Sequence, residues 1–161
     1  MLDAGQTDGG GVLAARVACP GEVLLSLDGP PGLSGRRETA AFADLPAMPS
    51  SVTGRLCDLA VRHVVAGAAG GDFSLFAGGL TEFGLIVGEF FRDAQGGRFV
   101  DVLWEDRLVR LRSAGDFAVA QSSWGPTVAV ICRDVAATHD VRRLLPDVNW
   151  TQARPVPPSG G

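Results

Sequence analysis

The chain has 161 residues, enough for one ordinary domain with its own core and too few for two. Its 46% hydrophobic and 20% charged fractions are those of a globular protein, and a net charge of −4 with no basic run beyond Arg36-Arg37 and Arg142-Arg143 gives no reason to expect a nucleic-acid partner. The basic residues are all arginine, so lysine chemistry (a Schiff base, a pyridoxal phosphate linkage, a P-loop) is excluded and a side-chain cation holding phosphate must be arginine.

In chain order, residues 1–21 read as a flexible, glycine-rich segment with a short strand over Val12 to Val17. The start, Met1-Leu2-Asp3-Ala4-Gly5, has neither a basic nor an apolar leader region, so a cytoplasmic protein is expected. Residues 22–154 read as one domain. Its first strand is Glu22 to Asp28, apolar and bounded by Pro20-Gly21 and Gly29-Pro30-Pro31. A helix begins near Arg36 and ends before Pro46 and Pro49. Ser50 or Ser51 would cap a second helix running through Leu56, Leu59, His63 and Val64 and stopping at Gly67 to Gly71.

Asp72 caps a long third helix, on which Phe73, Phe76, Leu80, Phe83, Val87 and Phe90 step by three or four. This is the most apolar stretch, yet Glu82 and Glu89 interrupt it, so it falls short of the roughly 18–20 uncharged residues of a membrane span. Those two glutamates are expected on a solvated edge, and His63 as a packing or surface residue. Gly84 and Gly88 lack side chains on one face, which would let another element approach closely.

Asp101 to Arg112 reads as a fourth helix ended by Gly115. Phe117 to Ala120 and Val128 to Cys132 read as strands, Asp134 to Leu145 as a last helix and Val148 to Arg154 as a last strand. The tail 155–161 is expected to be disordered. Cys19, Cys57 and Cys132 form no C-x-x-C pair and are expected reduced and mostly buried; with two histidines in the chain, a zinc site is not expected. The order gives an α+β sandwich with a mainly antiparallel sheet and helices packed on one face.

Two loops carry the polar chemistry. In the first, the turn Asp28 to Gly35 leads into a helix that opens on Arg36, Arg37 and Glu38. Ser34, Gly35 and the free N–H groups of the helix start could receive an anion that the two arginines would bind. The plainer reading is a helix cap, with Gly35 at the N-cap and Glu38 closing a capping box. In the second, Gln121, Ser122, Ser123, Trp124, Gly125, Pro126 and Thr127 join two apolar strands. An amide, three hydroxyls and an indole exceed what a turn needs, and they suit a sugar, a phosphate or an aromatic wall. The plainer reading has these groups satisfying their own backbone. No catalytic constellation can be assembled from spacing.

With these loops the chain resembles the C-terminal half of the β-ribofuranosylaminobenzene 5′-phosphate synthases of the GHMP-kinase superfamily. The resemblance rests on Gln121 to Thr127 and on Gly32-Leu33-Ser34-Gly35 with Glu38 and Phe42 downstream, and runs from about Val23 to Ile131. It implies a GHMP-kinase C-terminal-like sandwich and a transferase of tetrahydromethanopterin biosynthesis, hence of one-carbon metabolism. Such an enzyme condenses 4-aminobenzoate, or 4-hydroxybenzoate, with phosphoribosyl pyrophosphate and releases carbon dioxide and pyrophosphate. It implies no encoded cofactor, no pyridoxal phosphate and magnesium carried with the pyrophosphate.

The chain departs from the family in two respects. Family members are about twice as long, with a Gly/Ser-rich phosphate loop in the N-terminal half that nothing here resembles. The residues before the signature glutamine usually include glycine, where this chain has Ala118 and Ala120. The expectation is a homo- or hetero-oligomer acting on small molecules, inactive until a separate N-terminal half completes it. An ATP-using small-molecule kinase of the superfamily, and a non-catalytic binding or dimerisation module, are the alternatives.

Overall fold

A computed structural model describes residues 16–32, 35–122 and 125–154. The expected strand at Val12 to Val17 falls almost wholly outside these residues, and the expected tail 155–161 falls entirely outside them. Four strands form one antiparallel sheet: β1 (Glu22–Ser26), β2 (Ala118–Gln121), β3 (Val128–Cys132) and β4 (Trp150–Ala153). Their order is β2-β3-β1-β4. The helices between β1 and β2 are α1 (Arg36–Asp44), α2 (Ser50–Asp58), α3 (Ala66–Gly70), α4 (Phe73–Phe90), α5 (Arg92–Gln95) and α6 (Leu103–Ala114); α7 (Val135–Leu144) joins β3 to β4. Two crossovers with the later strands outside the earlier ones make a split β-α-β arrangement.

The class is the α+β antiparallel sandwich expected from the sequence. Helices cover both faces of the sheet, however, where one face was expected. Val128, Val130 and Cys132 join Leu24 and Val119 in a core with Trp104, Leu108 and Leu111 of α6 and Val141 of α7. On the other face Ala118 and Ile131 pack with Phe73, Phe76 and Ala77 of α4. The cause is visible in β3: a strand apolar at every position has two faces to bury, not one.

The apolar helix α4 is long and apolar enough by length and composition to cross a membrane, with 33% of its residues buried here, and its Phe73, Phe76 and Ala77 pack on the sheet. Asp72 caps it by accepting the Leu75 N–H at 3.0 Å. Its glycines set the packing distances, as the sequence led one to expect. A Cβ on Gly84 would lie 3.4 Å from Cα of Ala120, and one on Gly88 would fall 2.3 Å from the Arg98 carbonyl oxygen. Thr81, buried on the same helix, accepts the Val119 N–H at 2.9 Å and donates to the Phe117 carbonyl at 3.4 Å. Since β2 is an edge strand, this hydroxyl occupies backbone groups that would otherwise template another strand.

Several expected boundaries shift for local reasons. Ser50 is the first residue of α2 rather than its cap; the Pro49 carbonyl accepts the Val52 and Thr53 N–H groups instead. Between α2 and α3, Leu59–Val65 winds as a π-helix, so three segments form what the sequence presents as one helix. The packing there is tight: a Cβ on Gly79 would fall 2.3 Å from the His63 Cβ, so His63 is a packing residue. The fourth helix begins at Leu103 because Asp101 accepts the Leu103 N–H and stays outside the helix.

Candidate functional site

The two polar loops lie far apart in the chain and meet in the fold. In the register of β1 on β3, Ser26 faces Val128, so β1 leaves the sheet where β3 enters it. The loop after β1 and the loop before β3 therefore share one end of the sheet. A Cβ on Gly29 would fall 2.4 Å from the Pro126 Cβ, so the two backbones are in contact at a point where only glycine fits. Trp150, paired with Ser26 from the other side, stands at the same end.

The second loop is closed by a backbone turn. The Gly125 N–H donates to Ser122 at 2.8 Å and the Ser122 N–H donates to Thr127 at 2.9 Å. Ser122 is exposed, and Gly125, Pro126 and Thr127 are half-buried. Ser123 and Trp124, expected to add a hydroxyl and an aromatic wall, lie outside the described residues. Gln121 is engaged below the loop. Its Oε1 accepts the Val100 N–H at 2.7 Å and its Nε2 donates to Gln95 Oε1 at 3.1 Å. Gln95 in turn donates to the Gly97 and Arg98 carbonyls at 2.8 and 2.9 Å. These two amides fasten the base of the loop to the 96–100 turn. The sequence did not single out Gln95, and nothing local marks a glutamine that folds back on its own following turn.

In the first loop Gly35 is the N-cap of α1 at φ 61° and ψ −134°, a left-handed conformation that favours glycine. Among the described residues no side chain caps this helix, and no capping box with Glu38 forms. Thr39 donates its N–H and its hydroxyl to the Gly35 carbonyl instead. Arg36 and Arg37 are exposed on the first turn and Glu38 is half-buried. Leu33 and Ser34 lie outside the described residues. Among the described residues, one loop thus continues into a helix start carrying two exposed arginines, and the other is a turn carrying hydroxyls. That is an arrangement able to receive an oxyanion.

The remaining candidates fall away from this end. Glu82 pairs with Arg55 at 2.8 Å and Glu89 with Arg92 at 2.6 Å, both exposed as expected. The Arg92 hydrogen bond holds the Glu89 carboxyl below its usual range. All three cysteines are free, and Cys57 is exposed where burial was expected. Burial pushes the Cys132 thiol up to about 12, which makes it a packing group rather than a nucleophile. Among the described residues no three His, Cys, Asp or Glu side chains are placed to hold a metal ion.

The contact of Gly29 with Pro126 offers a direct test of the composite site. Gly29→Ala is expected to wedge the loops apart and cost roughly 1–3 kcal/mol of stability. A thermal melt checks it; an unchanged melting temperature would mean that the loops do not press on each other.

No family model matches the chain, and no curated protein matches it. Among solved structures it is similar to one described as MDDEF in complex with MVAPP, AMPPCP and magnesium, with 15% identity and a TM-score of 0.66. The match covers 86% of this chain and 45% of the other, so the chain spans less than half the length of that protein. At this identity the likeness establishes the fold, the GHMP-kinase C-terminal-like sandwich.

Proposed function

We propose that this chain is the C-terminal half of a cytoplasmic, two-part phosphoribosyl-transferring enzyme related to the β-ribofuranosylaminobenzene 5′-phosphate synthases, its domain spanning residues 22–154. The observation that carries this reading is the meeting of the two family-like loops at one end of the sheet, with Gly29 against Pro126. In this reading Arg36 and Arg37 bind the phosphate or pyrophosphate. Ser34, Gly35 and Glu38 shape that wall, and Ser122, Ser123, Gly125 and Thr127 face the ribose. Gln121 holds the loop base, and Trp124 lies along the aromatic acceptor. The ring carbon bearing the carboxylate attacks ribose C1 as the C1–O bond to pyrophosphate breaks. The new C–C bond forms, and the ring then loses the carboxylate as carbon dioxide. In this reading magnesium enters with the pyrophosphate.

A second reading, an ATP-using small-molecule kinase half, is favoured by the AMPPCP and magnesium bound in the similar structure. The two separate in one assay. The chain is mixed with carboxyl-labelled 4-aminobenzoate and phosphoribosyl pyrophosphate, alone and with a separately expressed N-terminal half bearing a Gly/Ser-rich phosphate loop. Labelled carbon dioxide is expected only from the mixture, and Arg36→Ala with Arg37→Ala is expected to lower that rate at least about tenfold by removing charge-assisted bonds. Turnover by the chain alone would overturn the need for a second half. ATP hydrolysis coupled to phosphorylation, with no carbon dioxide released, would select the kinase reading.

A further inference from the structure

No residue of α1 is buried, and among the described residues no other element packs closely along it. Its sheltered side is a stripe of half-buried positions, Glu38, Ala41 and, just past its end, Leu45, recurring at the helical spacing of three and four. Ala41 and Leu45 line a cavity of about 370 Å³, whose far wall is Phe90 of α4 with Asp93 and Ala94 of α5. The side of α1 that would seat on the body therefore stands across open space from it.

Both ends of α1 are built as joints. At the first, Gly35 has φ 61°, and a Cβ placed on it would meet nothing within 4 Å, so no packing fixes the turn. At the second, Leu45 is extended at φ −69° and ψ 136°, as suits a residue before proline, and the chain passes through Pro46 and Pro49 to α2. Between the joints, nine residues of hydrogen-bonded helix move as one rod. The rod meets the body edge-on at Phe42, which is 51% exposed and lies 6.3 Å from Phe91 with the ring planes at 87°. An edge-to-face contact keeps most of its attraction as one ring slides over the other, so it serves as a pivot. Elements with few buried apolar contacts sit at the low end of local stability, from which lids are drawn.

We propose that α1 is a hinged arm that swings into this cavity and seats Ala41 and Leu45 against Phe90 and Ala94. The structure shows its open position. Asp44 and Asp93 stand on opposite walls, so seating brings two like charges together and keeps the closed state a minor one, on the order of 1–10%. The motion needs no ligand. Arg36 and Arg37 ride on the first turn of the arm, so where they bind phosphate, as proposed above, that wall of the site moves as one piece.

The test is backbone relaxation dispersion on the isotopically labelled full chain, which detects the microsecond-to-millisecond motions of such arms. Exchange is expected on both walls, at Ala41, Phe42, Leu45, Phe90 and Ala94, while the Cα shifts of α1 stay helical. The core helix α6 should show none. Ala94→Phe fills the cavity and should abolish the exchange. Asp44→Asn removes one of the two like charges and should raise the minor population at least about twofold. Flat dispersion on either wall, coil shifts in α1, or exchange unchanged in both variants would each overturn the proposal. The unsubstituted chain decides the matter even if a variant fails to fold. Failure here leaves the carbon dioxide assay unaffected, so the two proposals fall separately.

Discussion

Trp104→Ala is expected to destabilise the domain by about 4 kcal/mol, the cost of deleting a large buried aromatic that its surroundings cannot close over. Trp104 is 1% exposed, and rings surround it: Trp150 edge-on at 6.0 Å and Phe99 tilted at 6.4 Å. Arg107 lies 5.4 Å above its face. Among the described residues it is the largest side chain wholly enclosed, and through Trp150 it joins α6 to β4, the edge strand of the sheet. Trp104→Phe, which keeps a ring in place, should cost roughly half as much. Chemical denaturation of both variants decides the point. A loss under about 1 kcal/mol for alanine would show that the core collapses around the site and that Trp104 is not its keystone.

Much of the scaffold was readable from local signals. Asp72 and Asp134 announce helix starts by type and position, and each accepts an N–H three residues on. Val128–Cys132 is a strand with the bounds its apolar run suggests. The turn Ser122 to Thr127 closes where glycine and proline imply a connection. What escaped was local winding that leaves no periodic signal. The π-helical turn at Leu59–Val65 alters only which carbonyl each N–H meets, a change that leaves no trace in composition. The short α5 has too few residues for a period to show.

The candidate site divides in the same way. Its polar residue types were legible, because hydroxyls, an amide and paired arginines are conspicuous beside apolar strands. That the two loops share one end of the sheet was not, since it follows from Ser26 facing Val128 across β1 and β3. Nor could spacing reveal that Gln121 meets the Val100 N–H and Gln95 across the fold. That amide reads as a ligand contact in the sequence and serves as an anchor in the structure, where it joins the site to the ionic node beneath it.

Arg107→Met tests that node, and the expected loss is about 3 kcal/mol at neutral pH. Arg107 is 9% exposed and donates to Asp101 at 2.9 Å and to Asp147 at 2.7 Å. Most of the cost arises at Asp101, whose side chain is 15% exposed and would keep only its bond from the Leu103 N–H. The Asp147 side chain is 55% exposed, so its pair with Arg107 adds little by itself. It supplies the pH signature instead. The hydrogen bond from Arg107, then a backbone hydrogen bond, hold the Asp147 carboxyl below its usual range. A depressed folded pKa gives stabilisation that is present above the unfolded value near ~3.9 and is lost as pH falls through the folded one. The gap between parent and methionine variant should therefore narrow as pH is lowered from about 5 toward 3. Asp147→Asn in the parent should remove that part of the slope. A gap that stays constant across the window would assign the acid dependence to another carboxylate. Because Asp101 and Val100 are adjacent, and Val100 donates to Gln121, the same substitution should also raise amide exchange at Ser122 and Thr127. Faster exchange there would link the buried arginine to the loop it supports. Unchanged exchange would leave Arg107 as a stability element alone.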